Sequence, residues 1–165
     1  QVLDVEQILR DVLPSTTEVI TPEKVGPKIK LPAGKMILAA DDSPLARSMI
    51  EKELKTLDVP YVMTHTGLEA WKRIQSISDT AAAEGKTLHD KVALVLTDLE
   101  MPEMDGFTLT RNIKSDQRFK SVPVVIHSSL TGEANENHVK SVGADAFIAK
   151  FEAGELAEAI RKALA

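Results

Sequence analysis

The stretch Val92-Ala93-Leu94-Val95-Leu96-Thr97-Asp98-Leu99-Glu100-Met101-Pro102-Glu103-Met104-Asp105-Gly106 decides how this chain is read. An apolar run over 92–96 leads to an acid. A loop bearing proline and glycine follows, and then a helix-like pattern. A continuous apolar run bounded by turn signals reads as a strand buried on both faces. Asp98 then stands at the carboxyl end of a central parallel strand, the edge of an open α/β sheet where ligands bind.

Three other apolar runs end in the same manner. Met36 to Ala40 leads to Asp41 and Asp42, Val122 to Ile126 to Ser128 and Ser129, and Ala146 to Ala149 to Lys150. Side by side in one parallel sheet, these runs bring acids, a hydroxyl and an ammonium group to one edge. Taken alone, Asp41-Asp42 before Pro44 also reads as a helix-capping pair, and Lys150 as a surface lysine. Ser129 beside Ser128 leaves the hydroxyl uncertain by one position.

Strand and helix patterns alternate five times, which argues for α/β with a parallel sheet. The expected strands are 35–40, 61–65, 94–97, 122–127 and 146–149. The second is short and polar, which puts it near a sheet edge. The first helix starts at Ser43-Pro44, with proline at the first helical position. Its expected buried face is Leu45, Met49, Leu54 and Leu57. The second spans Gly67 to about Ala83 on Leu68, Ala70, Trp71, Ile74 and Ile77, and 81–90 lengthens its crossover. Asp105 caps the third, Thr131 starts a short polar fourth, and Leu156, Ala159, Ile160, Ala163 and Leu164 mark the fifth.

Ahead of this alternation, Val5, Ile8, Leu9, Val12 and Leu13 share one helical face, with Asp4 as cap and Pro14 as stop. So short a helix must pack on something. Residues 15–34 hold three prolines and two glycines and read as a semi-extended linker. The expected division is 1–34, helix and Pro-rich linker, and 35–165, one α/β domain.

Composition narrows the classes. The chain has 165 residues, 43% of them hydrophobic, enough for a real core. A net charge of −5 leaves no basic footprint for nucleic acid. With no cysteine there is neither a disulfide framework nor thiol chemistry. No stretch has the apolar length of a membrane span or the pattern of a signal peptide, so a cytoplasmic protein is expected. Gln1 in place of Met points to a piece of a longer chain, and no output domain is expected after the last helix. His65, His89, His127 and His138 share no ligand spacing on one element and read as structural or solvent-facing.

Residues 35–165 resemble a response-regulator receiver domain. Asp41-Asp42, the Asp-x-x-Met-Pro-x-Met-Asp-Gly run from Asp98, Ser128 and Lys150 carry the likeness, in that order. The resemblance implies a flavodoxin-like (βα)5 doubly wound sheet of order 2-1-3-4-5. It makes Asp98 the phosphoacceptor, since a carboxylate can act as a nucleophile and form an aspartyl-phosphate. Three crowded carboxylates call for a cation, and hard oxygen donors suit Mg²⁺. Asp42 and Asp98 are the expected direct ligands, with Asp41 acting through water and the Glu100 backbone carbonyl completing the set. Ser128 and Lys150 would contact the phosphoryl oxygens. Phe147 would be the aromatic switch, although a plain core aromatic explains it equally well.

Two departures stand out. Phe151 follows Lys150 where the family usually has proline, and a cis bond before a non-proline costs about 2.5–4 kcal/mol, so a trans link is expected. Glu100 adds a negative charge beside the site. The segment Leu3 to Leu9 is similar to the last helix of a CheW-like adaptor domain. An ordinary helix packed on the receiver, or on a second copy, explains it as well.

With that segment, the chain resembles the receiver half of a CheV-type chemotaxis coupling protein. The implied partners are a chemotaxis histidine kinase and, through the adaptor, chemoreceptors. Self-association through the N-terminal helix would be a further contact. Neither nucleic acid binding nor membrane insertion is expected, and no catalysis beyond self-phosphorylation and self-dephosphorylation. Two alternatives stay open. One is a phosphohydrolase of the haloacid-dehalogenase type, which would want Asp-x-Asp on the first strand. The other is a degenerate receiver used only for contacts.

Overall fold

The computed structural model describes residues 26–128, 133–149 and 154–164. The expected N-terminal helix, Ser129, Thr131, Lys150 and Phe151 lie outside them. Five parallel strands form one sheet: β1 (Met36–Ala40), β2 (Tyr61–Thr64), β3 (Val92–Asp98), β4 (Val124–Ser128) and β5 (Ala146–Ala149). Their order is β2-β1-β3-β4-β5, the doubly wound order that the resemblance implies. The connecting helices are α1 (Pro44–Thr56), α2 (Gly67–Ala83), the single turn α3 (Leu88–Lys91), α4 (Gly106–Ser115), α5 (Glu133–Ser141) and α6 (Glu155–Leu164).

Alternation along the strands divides one apolar run between two cores. Ile37, Ala39, Leu94, Leu96 and Val125 face Ile50, Leu54, Leu57, Leu156 and Ile160 of the α1–α6 layer. Leu38, Ala40, Val95, Val124 and Ile126 face Ala70, Ile74, Leu109 and Ile113 of the α2–α4 layer. This is why the strands read as continuous apolar runs rather than alternating ones.

Two helix starts follow from local chemistry. Ser43 caps α1 by accepting from the Ala46 amide, with Pro44 just inside. Asp105 caps α4 by accepting from the Thr108 amide at 2.7 Å.

The buried face of α1 needs a correction. Leu45 is 54% exposed, and the stripe runs through Ala46, Ile50, Leu54 and Leu57. The spacing of 4, 4 and 3 keeps these four on one face, whereas Leu45 lies one residue, about 100°, away from Ala46. On α2, likewise, Ser78 and Ala81 are buried while Trp71 and Ile77 are only partly covered.

The described end of the proline-rich stretch, from residue 26, lies against the domain. Ile29 is buried in the α1–α6 core, its amide donates to the Leu57 carbonyl at 3.0 Å, and Arg161 of α6 donates to the Pro27 carbonyl at 2.6 Å. Among the described residues no helix is long and apolar enough to cross a membrane.

Candidate phosphoacceptor and metal site

The site grows out of the strand register. Ala39 of β1 pairs with Leu96 of β3, and Leu96 pairs with Val125 of β4. These three make one apolar row on the α1–α6 face. Two residues further along each strand the side chains point the same way again, and the row becomes Asp41, Asp98 and His127. Asp98 pairs with His127 in the ladder, and the Asp41 amide continues β1 by donating to the Thr64 carbonyl at 3.1 Å. All three side chains are buried, at 0%, 3% and 4% exposure. One donor atom from each lies within 4.8 Å of the other two.

Local geometry holds this row in place. Asp41 Oδ1 accepts from the Ser43 amide at 2.9 Å, and the Arg47 guanidinium donates to the Asp41 carbonyl at 2.9 Å. Asp41 Oδ2 lies 3.6 Å from His127 Nε2. The loop after Asp98 folds back on the strand end: the Gly106 amide donates to the Leu99 carbonyl at 2.9 Å. A Cβ on Gly106 would sit 2.2 Å from the Asp98 carbonyl oxygen, so only glycine lets α4 begin there. Gly67 makes a comparable approach from α2, where a Cβ would lie 1.8 Å from the Met104 carbonyl oxygen. The loop is thus pinned between the start of α2 and the end of β3.

Of the residues singled out in the sequence, the structure brings Asp41 and Asp98 together. Asp42 is exposed and stands outside the group of mutually close donors. Ser128 is buried at the end of β4, one residue past the partner of Asp98. Glu100 is exposed just beyond β3, and Phe147 is partly buried on β5, paired with Ile126. Lys150 lies outside the described residues.

The sequence reading took His127 as structural or solvent-facing, and the structure buries it beside the two acids. Its signal was available: it follows Val125 by two, in a strand whose neighbour carries Asp98 at the matching register. The other histidines are exposed, and His138 stacks on Phe107 with ring centroids 3.7 Å apart.

The donor chemistry fits a divalent cation. Two carboxylates sharing one dry site repel unless a positive charge offsets them, and carboxylate oxygens are the donors that Mg²⁺ takes.

The comparisons with known proteins point to one family. "Chemotaxis protein CheV2" of Helicobacter pylori (strain ATCC 700392 / 26695) is 32% identical over 99% of this chain, which spans 49% of that relative's length. "Chemotaxis protein CheY1" of the same strain is 30% identical over 69% of this chain and 83% of its own length. Among solved structures, the receiver domain of the histidine kinase CKI1 from Arabidopsis thaliana, complexed with Mg²⁺ and BeF₃⁻, superposes with a TM-score of 0.67. That match is 28% identical, over 79% of this chain and 89% of the other. The model of the response regulator receiver domain matches residues 37–161, from the first buried residue of β1 into the last turns of α6. Register, buried acids and matched span agree: the chain belongs to the response regulator receiver family of two-component signalling.

Proposed function

We propose that Asp98 accepts a phosphoryl group from a chemotaxis histidine kinase with Mg²⁺ as cofactor. In this reading the chain is the receiver half, 35–165, of a CheV-type coupling protein. Residues 1–34 are then the end of an adaptor domain that reaches chemoreceptors, joined by the linker, and the protein works in the cytoplasm. The observation that carries the reading is the burial of Asp98 at the carboxyl end of β3 with the Asp41 carboxylate beside it.

The chemistry follows from this chain's residues. A carboxylate oxygen of Asp98 attacks phosphorus, an O–P bond forms, and the bond to the donor's leaving nitrogen or oxygen breaks with its electron pair. Asp42 and Asp98 would hold the Mg²⁺ directly together with the Glu100 backbone carbonyl, and the buried Asp41 carboxylate beside Asp98 would act through water. When bound, the ion supplies positive charge to offset the phosphoryl oxygens. Ser128 would donate a hydrogen bond to one of these oxygens. Lys150 would bring a compact positive charge to another. Phe147 would then follow the Ser128 loop inward and alter the surface around α5, β5 and α6. Such a change redistributes an existing ensemble.

The test is intact mass after incubation with Mg²⁺ and acetyl phosphate, for the unsubstituted protein and Asp98→Asn. One added phosphoryl group in the former alone is expected. No addition with Mg²⁺ binding intact would overturn the phosphoacceptor role, and no addition without Mg²⁺ binding would favour a contact-only receiver.

A further inference from the structure

We propose that His127 is a third ligand of this site, making Asp41, Asp98 and His127 a buried mixed nitrogen–oxygen centre for a first-row transition ion of the zinc, iron or nickel class. The inference deepens the metal reading above and rests on it. Register is its first support. The two rows below on the α1–α6 face, at positions 37 and 94 and at 39, 96 and 125, are wholly apolar. The row above them changes to two acids and an imidazole at once, on three adjacent strands. A histidine that merely filled core space would have no need to face two acids.

Distance and burial are the second support. His127 is 4% exposed and its Nε2 is 3.6 Å from Asp41 Oδ2. One donor atom from each residue lies within 4.8 Å of the others, close to the ceiling of about 4.4 Å that ligand bonds of about 2.2 Å allow, so small side-chain rotations would close the three around one ion.

The donor set sets the preference. Carboxylate and water alone suit Mg²⁺, whereas an imidazole suits zinc, copper, iron and nickel. The aspartate pair keeps Mg²⁺ admissible through oxygen alone. Adding the nitrogen shifts the same cavity toward the softer ions without a new pocket. The receiver would then sense which divalent ion fills the site before it receives a phosphoryl group.

Cobaltous ion is the probe, because its unpaired electrons shift the ring resonances of a bound histidine far from their usual positions. The full chain, His127→Val and Asp98→Asn are titrated with Co²⁺ and with Mg²⁺ by calorimetry, and the Co²⁺-loaded forms are examined by proton NMR. The expected result is one set of shifted histidine ring signals at one equivalent, absent in His127→Val. Co²⁺ affinity should fall at least tenfold in that variant while Mg²⁺ affinity stays within about threefold. Co²⁺ binding without shifted ring signals in the unsubstituted protein overturns the inference, whether or not His127→Val folds. Tighter Co²⁺ binding by His127→Val also overturns it, because His127 would then be a competing counter-charge. Binding of neither ion, or binding unaffected by Asp98→Asn, sinks the underlying Asp41–Asp98 reading instead.

Discussion

β3 and β5 both end beside the candidate site, yet they are held very differently. Every residue of β3, Val92 to Asp98, is buried, and the strand is bonded to β1 and β4. All four residues of β5 are half-buried, and β5 is bonded to β4 alone. The centre of the sheet therefore carries Asp98, the proposed phosphoacceptor. The edge carries Phe147, the residue proposed to move. Local opening is easiest where buried contacts are few, so a receiver gains by placing its acceptor at the centre and its responding surface at the rim.

The largest expected effect tests that contrast directly. Leu96→Ala, in the central strand, should cost about 2–5 kcal/mol in urea denaturation, the usual range for a buried leucine. Ile148→Ala on β5 should cost less than about 2 kcal/mol, because less apolar area leaves water there. Equal costs would break the comparison.

Gly106→Ala comes next, at about 1–3 kcal/mol for forcing a methyl group against the Asp98 backbone. It should also slow phosphorylation by acetyl phosphate, because the strand end must shift. Loss of stability with an unchanged phosphorylation rate would show that Asp98 is not held by this approach.

A smaller effect is expected at the linker. Arg161→Ala removes the bond to the Pro27 carbonyl, so exchange of the Ile29 amide should quicken by about fivefold, a change near 1 kcal/mol. The β3 amides should keep their protection. Quickening throughout the sheet would mean that the strap supports the whole domain rather than its rim.

The smallest effect belongs to Asp116, after α4 at the other end of the sheet. The hydrogen bond from the Arg118 guanidinium first, then that from the Arg118 amide and last the guanidinium's charge hold the Asp116 carboxyl below its ordinary value of 3.8 against the cost of burial. A lowered folded-state pKa stabilises above the unfolded value and is lost as pH falls through the folded one. Asp116→Asn should therefore be slightly less stable than the unsubstituted protein near neutral pH, and the difference should shrink as pH falls below about 4 and vanish only below the lowered folded-state pKa. A difference that persists in acid would assign the effect to packing instead.

Much of this was legible before any coordinates. The apolar runs reported the strands because a sheet covered on both faces needs them, and Asp98 was visible as the acid at the end of the most continuous run. The helix faces were less legible. Leu45 is apolar but falls outside the α1 stripe, and Ser78 is polar yet packed within α2. Hydropathy states what a residue prefers, whereas the angle around a helix states what it receives. The resemblance made Asp42 the direct ligand and placed Asp41 behind water, whereas Asp41 is the one that lies close to Asp98. Strand alternation buries Asp41 and exposes Asp42.

The sequence by itself determined the parallel α/β class, the Asp98 loop and the family resemblance, because these are written in local runs and fixed spacings. Only the tertiary structure decided that His127 joins Asp41 and Asp98. That row depends on the relative register of three strands far apart in the chain, and register is settled by packing across the sheet rather than within any one strand.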